Sequence, residues 1–163
     1  MPTLEVDGKG PGETCELAEA GKVRIAATVE SYVPFNTIEV VVNGKVMARE
    51  DFDAGDAAGP RLGRLDVELP IEHSSWVALR VRGPRHPLVF DGPAWAHTSP
   101  VYVRVAGRGI VSRPDAEYFV AWIEQMLRVV AARNRFARAE DRRQVETLFR
   151  RARDEFRRMA DAG

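Results

Sequence analysis

Cysteine, histidine and lysine are all scarce in this chain of 163 residues, which has one Cys, three His and only three Lys (Lys9, Lys22, Lys45). A lone Cys15 excludes an internal disulfide and a cysteine-rich zinc site. Its expected place is inside a strand, as a small buried hydrophobe. None of His73, His86 and His97 has a second histidine two to four positions away, so no local metal-ligand spacing exists. His97 is expected to hydrogen-bond neighbouring strand backbone. No Gly-x-Ser-x-Gly elbow surrounds Ser74-Ser75 or Thr98-Ser99, whose hydroxyls read as turn caps. Gly8-Lys9-Gly10-Pro11-Gly12 lacks the Gly-Lys-Ser/Thr ending and the following helix of a phosphate loop, so it reads as a turn. Asp51, Asp53 and Asp56 depart from calcium-loop spacing and read as solvated acids. No uncharged apolar run approaches the ~18 residues of a membrane-crossing helix. The start, Met1-Pro2-Thr3-Leu4-Glu5-Val6-Asp7, has neither the basic nor the apolar region of a signal peptide. A cytoplasmic location is the default expectation, with no membrane partner.

Net charge is zero, but the charge is unevenly spread. Residues 128–163 carry eleven Arg against six acids, and the acidic excess lies before them. Among Arg142, Arg143, Arg150, Arg151, Arg153, Arg157 and Arg158 stand Asp141, Glu146, Asp154 and Glu155, at distances that allow helical ion pairs. No stacking aromatics accompany these arginines, so a solvated ion-paired face is expected rather than a nucleic-acid partner.

Residues 1–110 break into short strands between turn signals, which predicts an all-β sandwich of the immunoglobulin or fibronectin type III kind with seven or so strands. Lys22 to Glu30 alternates with period two, placing Val23, Ile25, Ala27 and Val29 on one face. Asn43-Gly44, between two apolar runs, predicts a tight type I′ hairpin. Asp53 to Pro60 is a loop by composition. Leu65, Val67 and Leu69 alternate with acids, and Val77, Leu79 and Val81 form the core set opposite Trp76, Ala78, Arg80 and Arg82. Val101, Val103 and Val105 supply the last strand. Residues 111–163 read as a helical hairpin. Ser112-Arg113-Pro114-Asp115 starts the first helix, whose stripe is Tyr118, Phe119, Trp122, Ile123, Met126, Leu127 and Val130. Asn134-Arg135-Phe136 breaks it. A second helix from about Arg138 aligns Val145, Leu148, Phe149, Ala152, Phe156 and Met159. The two are expected to pack antiparallel, leaving part of the stripe for the sandwich or for another chain.

An ordered series of strings is more specific than any one motif. Leu4 to Thr14, Ile38-Glu39-Val40-Val41-Val42-Asn43-Gly44, Ser74 to Pro84 and Ala96-His97-Thr98-Ser99-Pro100-Val101-Tyr102-Val103 come first. Tyr118-Phe119-x-x-Trp122-Ile123 and Asn134-Arg135-Phe136 follow. Over residues 4–159 the series resembles the C-terminal region of carbaryl-hydrolase-like metallohydrolases of the polymerase and histidinol phosphatase (PHP) superfamily. The resemblance implies that hydrolysis belongs to an upstream domain with a His-x-His metal set that this sequence lacks. The chain is then expected to be the C-terminal part of a longer protein, or a truncated gene product. No catalytic residue, metal ligand or cofactor is implied within it.

The leading expectation is thus a non-catalytic accessory module, structural or shaping a substrate entrance, whose partner is the missing catalytic domain. Trp95, His97, Thr98, Ser99 and Tyr102 are the candidate interface residues. Two rivals stand beside it. One is a carbohydrate- or peptide-binding sandwich using Trp76, Trp95 and Tyr102 as a platform. The other is an interaction or homodimer module built on the hairpin.

Overall fold

The computed structural model describes residues 1–53, 61–90 and 92–162. The expected loop at 53–60, with its acid Asp56, falls outside them apart from Asp53. The chain is mainly β with two C-terminal helices, and it divides into two compact units, Met1–Ile110 and Val111–Gly163.

Strand formation in the first unit follows the alternation of its apolar residues. The run around Lys22–Glu30 is strand β3 (Gly21–Ser31), and its Val23, Ile25, Ala27 and Val29 are all buried while Lys22, Arg24 and Glu30 face water. It is flanked antiparallel by β1 (Pro2–Val6) and β6 (Arg61–Ile71), giving a three-stranded sheet β1-β3-β6. The second sheet runs β2-β9-β7-β4-β5. Its members are β2 (Thr14–Leu17), β4 (Thr37–Val42), β5 (Lys45–Asp51), β7 (Ser75–Arg85) and β9 (Val101–Val105), and β8 (Pro93–His97) pairs with β7 beside β9. Asn43 and Gly44 both take positive φ (48° and 82°), as a type I′ hairpin between β4 and β5 requires. Buried residues from both sheets, among them Leu4, Ile25, Leu65, Ile38, Leu79 and Val103, form a single apolar cluster.

Nine strands are described where about seven were expected. The runs named in the sequence do not include β1 or β8, each of five residues, and reach β2 only through Cys15. The glycine-rich segment 8–12 carries the chain from one sheet to the other. Asp7, Gly8 and Gly12 take positive φ there, and Gly12 N donates to Pro100 O at 2.8 Å as β2 joins β9 in parallel. Cys15 lies buried in β2. Desolvation and the nearby Asp7 carboxylate push its thiol pKa up, so the thiolate is disfavoured.

In the second unit, Ser112 caps α1 (Arg113–Arg133) by accepting from Asp115 N, and Asn134 ends it in the left-handed conformation. α2 (Ala139–Ala162) packs antiparallel to it. Phe119 stacks on Phe156 at 4.8 Å between ring centroids, and Arg157 reaches Glu124 at 2.7 Å. The apolar stripe is only partly covered: Ile123 is buried, whereas Tyr118, Trp122, Leu148 and Met159 are exposed. Arginines are paired along α2, as in Arg142–Glu146–Arg150, and Arg138 just before it pairs with Asp141. The hydrogen bond from Arg142 holds the Glu146 carboxyl below its ordinary range. Among the described residues no helix is long and apolar enough to cross a membrane.

Candidate functional site

β8 and β9 lie end to end along one edge of β7. Arg82 pairs with Trp95 and Arg80 with His97 on β8, while Val77 pairs with Val101 and Trp76 with Tyr102 on β9. Between them Thr98-Ser99-Pro100 interrupts the ladder, and Thr98 repairs the gap. Its N donates to Leu79 O at 3.0 Å, and its buried hydroxyl accepts from Leu79 N at 3.1 Å. The hydroxyl thus replaces a backbone carbonyl. Thr98→Val should orphan a buried N–H and cost about 1–3 kcal/mol, whereas Thr98→Ser keeps the acceptor. Urea unfolding of the two variants measures this; equal midpoints would remove the hydroxyl from that role.

Alternation places Trp76, Ala78, Arg80 and Arg82 on the outer face of β7, because Val77, Leu79 and Val81 are buried inside. All five candidate interface residues, Trp95, His97, Thr98, Ser99 and Tyr102, line one open groove of about 920 Å³ on that face, together with Trp76 and Arg80. Trp95 is 60% exposed and carries the Arg82 guanidinium 4.9 Å from its ring centroid, a cation–π contact. His97 is exposed, and its Nδ1 lies 3.2 Å from the carbonyl oxygen of Thr98, the next residue, rather than from a neighbouring strand. Ser99 is exposed and makes no hydrogen bond to His97 among the described residues. His73 and His86 lie in the connections on either side of β7, where His86 Nδ1 accepts from Leu88 N.

Beside the groove lies a cluster that sequence reasoning missed. Glu39 on β4 is only 3% exposed although it belongs to the outer face, because arginines from both neighbouring strands cover it. Arg80 Nε donates to Glu39 Oε2 at 2.6 Å, and Arg49 Nη1 stands 3.9 Å from Oε1. Arg82 Nε forms an ion pair with Oε2 at 3.4 Å without hydrogen-bond geometry, and this buried atom has no hydrogen-bond partner among the described residues. Arg49 is held in turn by Asp51, whose carboxyl its hydrogen bonds keep below the ordinary range. The face therefore offers aromatic surface next to three guanidinium groups organised by one buried carboxylate. A lone acid in Ile38-Glu39-Val40-Val41-Val42 was the available signal.

Among the described residues no three His, Cys, Asp or Glu side chains converge to hold a metal ion. No family model matches the chain, and no curated protein matches it.

Proposed function

We propose that this chain is a non-catalytic binding and accessory module: an immunoglobulin-like β-sandwich followed by a helical hairpin, which acts through the outer face of its larger sheet. The sandwich reading is supported by the strand order β1-β3-β6 against β2-β9-β7-β4-β5, with the first edge passing from one sheet to the other. The observation that carries the functional reading is the convergence of Trp76, Trp95, His97 and Tyr102 on one open groove. Trp and Tyr supply large, stiff contact area there. Their polar neighbours serve recognition rather than chemistry: the Thr98 hydroxyl is committed to Leu79 N, and among the described residues Ser99 makes no hydrogen bond to His97. The Ala96–Val103 string, through which the chain resembles the C-terminal region of PHP-type metallohydrolases, falls on this same β8–β9 edge. That coincidence supports docking of the expected catalytic-domain partner against the groove.

The chain should show no turnover of phosphoesters, carbamates or amides with Mn²⁺ or Zn²⁺ added. Turnover that survives purification and disappears with a chelator would sink the proposal.

A further inference from the structure

β8 pairs with β7 on one side and with no strand on the other among the described residues. Its backbone phase follows from Thr98, which exchanges bonds with Leu79 across the ladder, its hydroxyl standing in for a carbonyl. In an antiparallel pair, bonded and unbonded positions alternate. Val81–Ala96 is then the next bonded pair, and Arg80–His97 and Arg82–Trp95 are unbonded ones. The N–H and C=O groups of Trp95 and His97 therefore point away from β7, toward the open edge.

Proteins ordinarily blunt such edges with charge, proline or bulges. Strand β5 carries Lys45, Arg49, Glu50 and Asp51, and β6 carries Arg64, Asp66, Glu68 and Pro70. Strand β8, Pro93-Ala94-Trp95-Ala96-His97, has no Asp, Glu, Lys or Arg, and its one proline is its first residue. Open volume flanks it on both sides. The groove of about 920 Å³ meets Trp95 and His97 on the outer face, and a second cavity of about 260 Å³ is lined by Met1, Val81, Ala94 and Ala96. Trp95 and Ala96 border both. Side chains of an added strand would alternate between the two spaces. On the outer side they would meet Arg80 and Arg82, which share one acid, Glu39.

We propose that β8 is a docking edge for an extended polypeptide segment, bonded through the backbone of Trp95 and His97. On its outer-facing positions the segment carries an acid for Arg82 and Arg80 and an aromatic residue for the groove; inward it carries small apolar residues. Charge disfavours a second copy of this chain, because it would bring a second Arg80 and Arg82 to the same face. This inference rests on the reading of the chain as a binding module, but the peptide titration below and the turnover assay above fail independently.

The probe is a fluorescein-labelled octapeptide with glutamate and phenylalanine on one face and valine and alanine on the other, followed by anisotropy. Saturable binding is expected, weakened roughly tenfold when lysine replaces glutamate or in Arg82→Ala. N-methylation of the peptide nitrogens that face β8 should abolish it. His97→Pro removes an outward N–H without touching the β7 ladder, so it should lose binding that His97→Ala largely keeps; circular dichroism checks that both fold. No binding at about 1 mM peptide would overturn the proposal. So would equal binding of the N-methylated or the lysine peptide. A dimeric mass in light scattering that His97→Pro reduces to the monomer would assign the edge to a second copy and overturn it too.

Discussion

Gly83→Ala should destabilise the first unit by about 3 kcal/mol, lowering its Tm by roughly 15 °C. Gly83 lies buried in β7 as the strand passes beneath the Pro34–Phe35 turn, close to Ala94 of β8. A methyl group added there would stand 2.2 Å from the Pro34 carbonyl oxygen and 3.0 Å from both Phe35 Cα and Ala94 Cβ. Two of those three atoms are backbone, so no rotamer change relieves the clash; a turn or strand β8 must move. Gly63 in β6 is the control. A methyl there meets only side-chain ends, Ile38 Cδ1 at 2.7 Å and Phe35 Cε2 at 2.8 Å, which can shift. Gly63→Ala should therefore cost about 1 kcal/mol. Thermal unfolding is best followed in a Trp122→Phe background, where Trp76 and Trp95 report on the first unit alone. Equal melting of the two glycine variants would refute the close approach at Gly83. Displacement of β8 should also weaken the groove, so Gly83→Ala links packing to recognition.

The parts of this fold that could be read in the sequence are those set by local chemistry. Val23, Ile25, Ala27 and Val29 announce β3 because a half-buried strand needs period-two alternation, and Asn43-Gly44 announces its hairpin because both residues accept positive φ. Ser112 and Asn134 mark the ends of α1 for equally local reasons. Strands β1 and β8 went unnamed, and β2 was touched only through the expected strand burial of Cys15, whose partner Val103 is remote. A four- or five-residue segment carries few alternations, and among these short strands only β9, with valine at every second position, announces itself by period. Periodicity also gave the hairpin's apolar stripe, part of which was expected to be left uncovered by the hairpin itself. Tyr118 and Trp122 recur at helical spacing, yet both are exposed, because spacing defines a face without defining what covers it.

The candidate site divides the same way. His97, Ser99 and Tyr102 were found through a string and Trp95 as an aromatic beside it, and the ladder brings them to one groove because β8 and β9 share one edge of β7. The role of Thr98 was not readable as such. A threonine before Ser-Pro suggests a turn cap, and only the register shows its hydroxyl completing the bond of Leu79. The Glu39 cluster was out of reach for a related reason. Arg49, Glu39 and Arg80 form one row across β5, β4 and β7, and no sequence spacing encodes that juxtaposition.

Glu39→Ala should destabilise the first unit by about 2 kcal/mol and at the same time strengthen binding of the acidic octapeptide. Breaking a fully buried ion pair costs about 3–5 kcal/mol, since the surviving charge is stranded. Here the surviving side chains of Arg80 and Arg82 are 32% and 40% exposed, so water recovers part of that cost. Glu39→Gln keeps an acceptor for Arg80 Nε and should lose about half as much. In a double-mutant cycle, adding Arg80→Ala to Glu39→Ala should cost little more than Glu39→Ala alone, because the shared interaction is already gone. The binding arm moves the other way. With Glu39 removed, Arg80 and Arg82 have no internal counter-ion, and the glutamate of the peptide becomes the nearest carboxylate available to them. Stability and anion recognition thus compete for the same guanidinium groups. Urea unfolding together with anisotropy at 10 °C, where the variant stays folded, separates the two effects. Loss of binding in step with loss of stability would show that Glu39 supports the ligand rather than occupying its place.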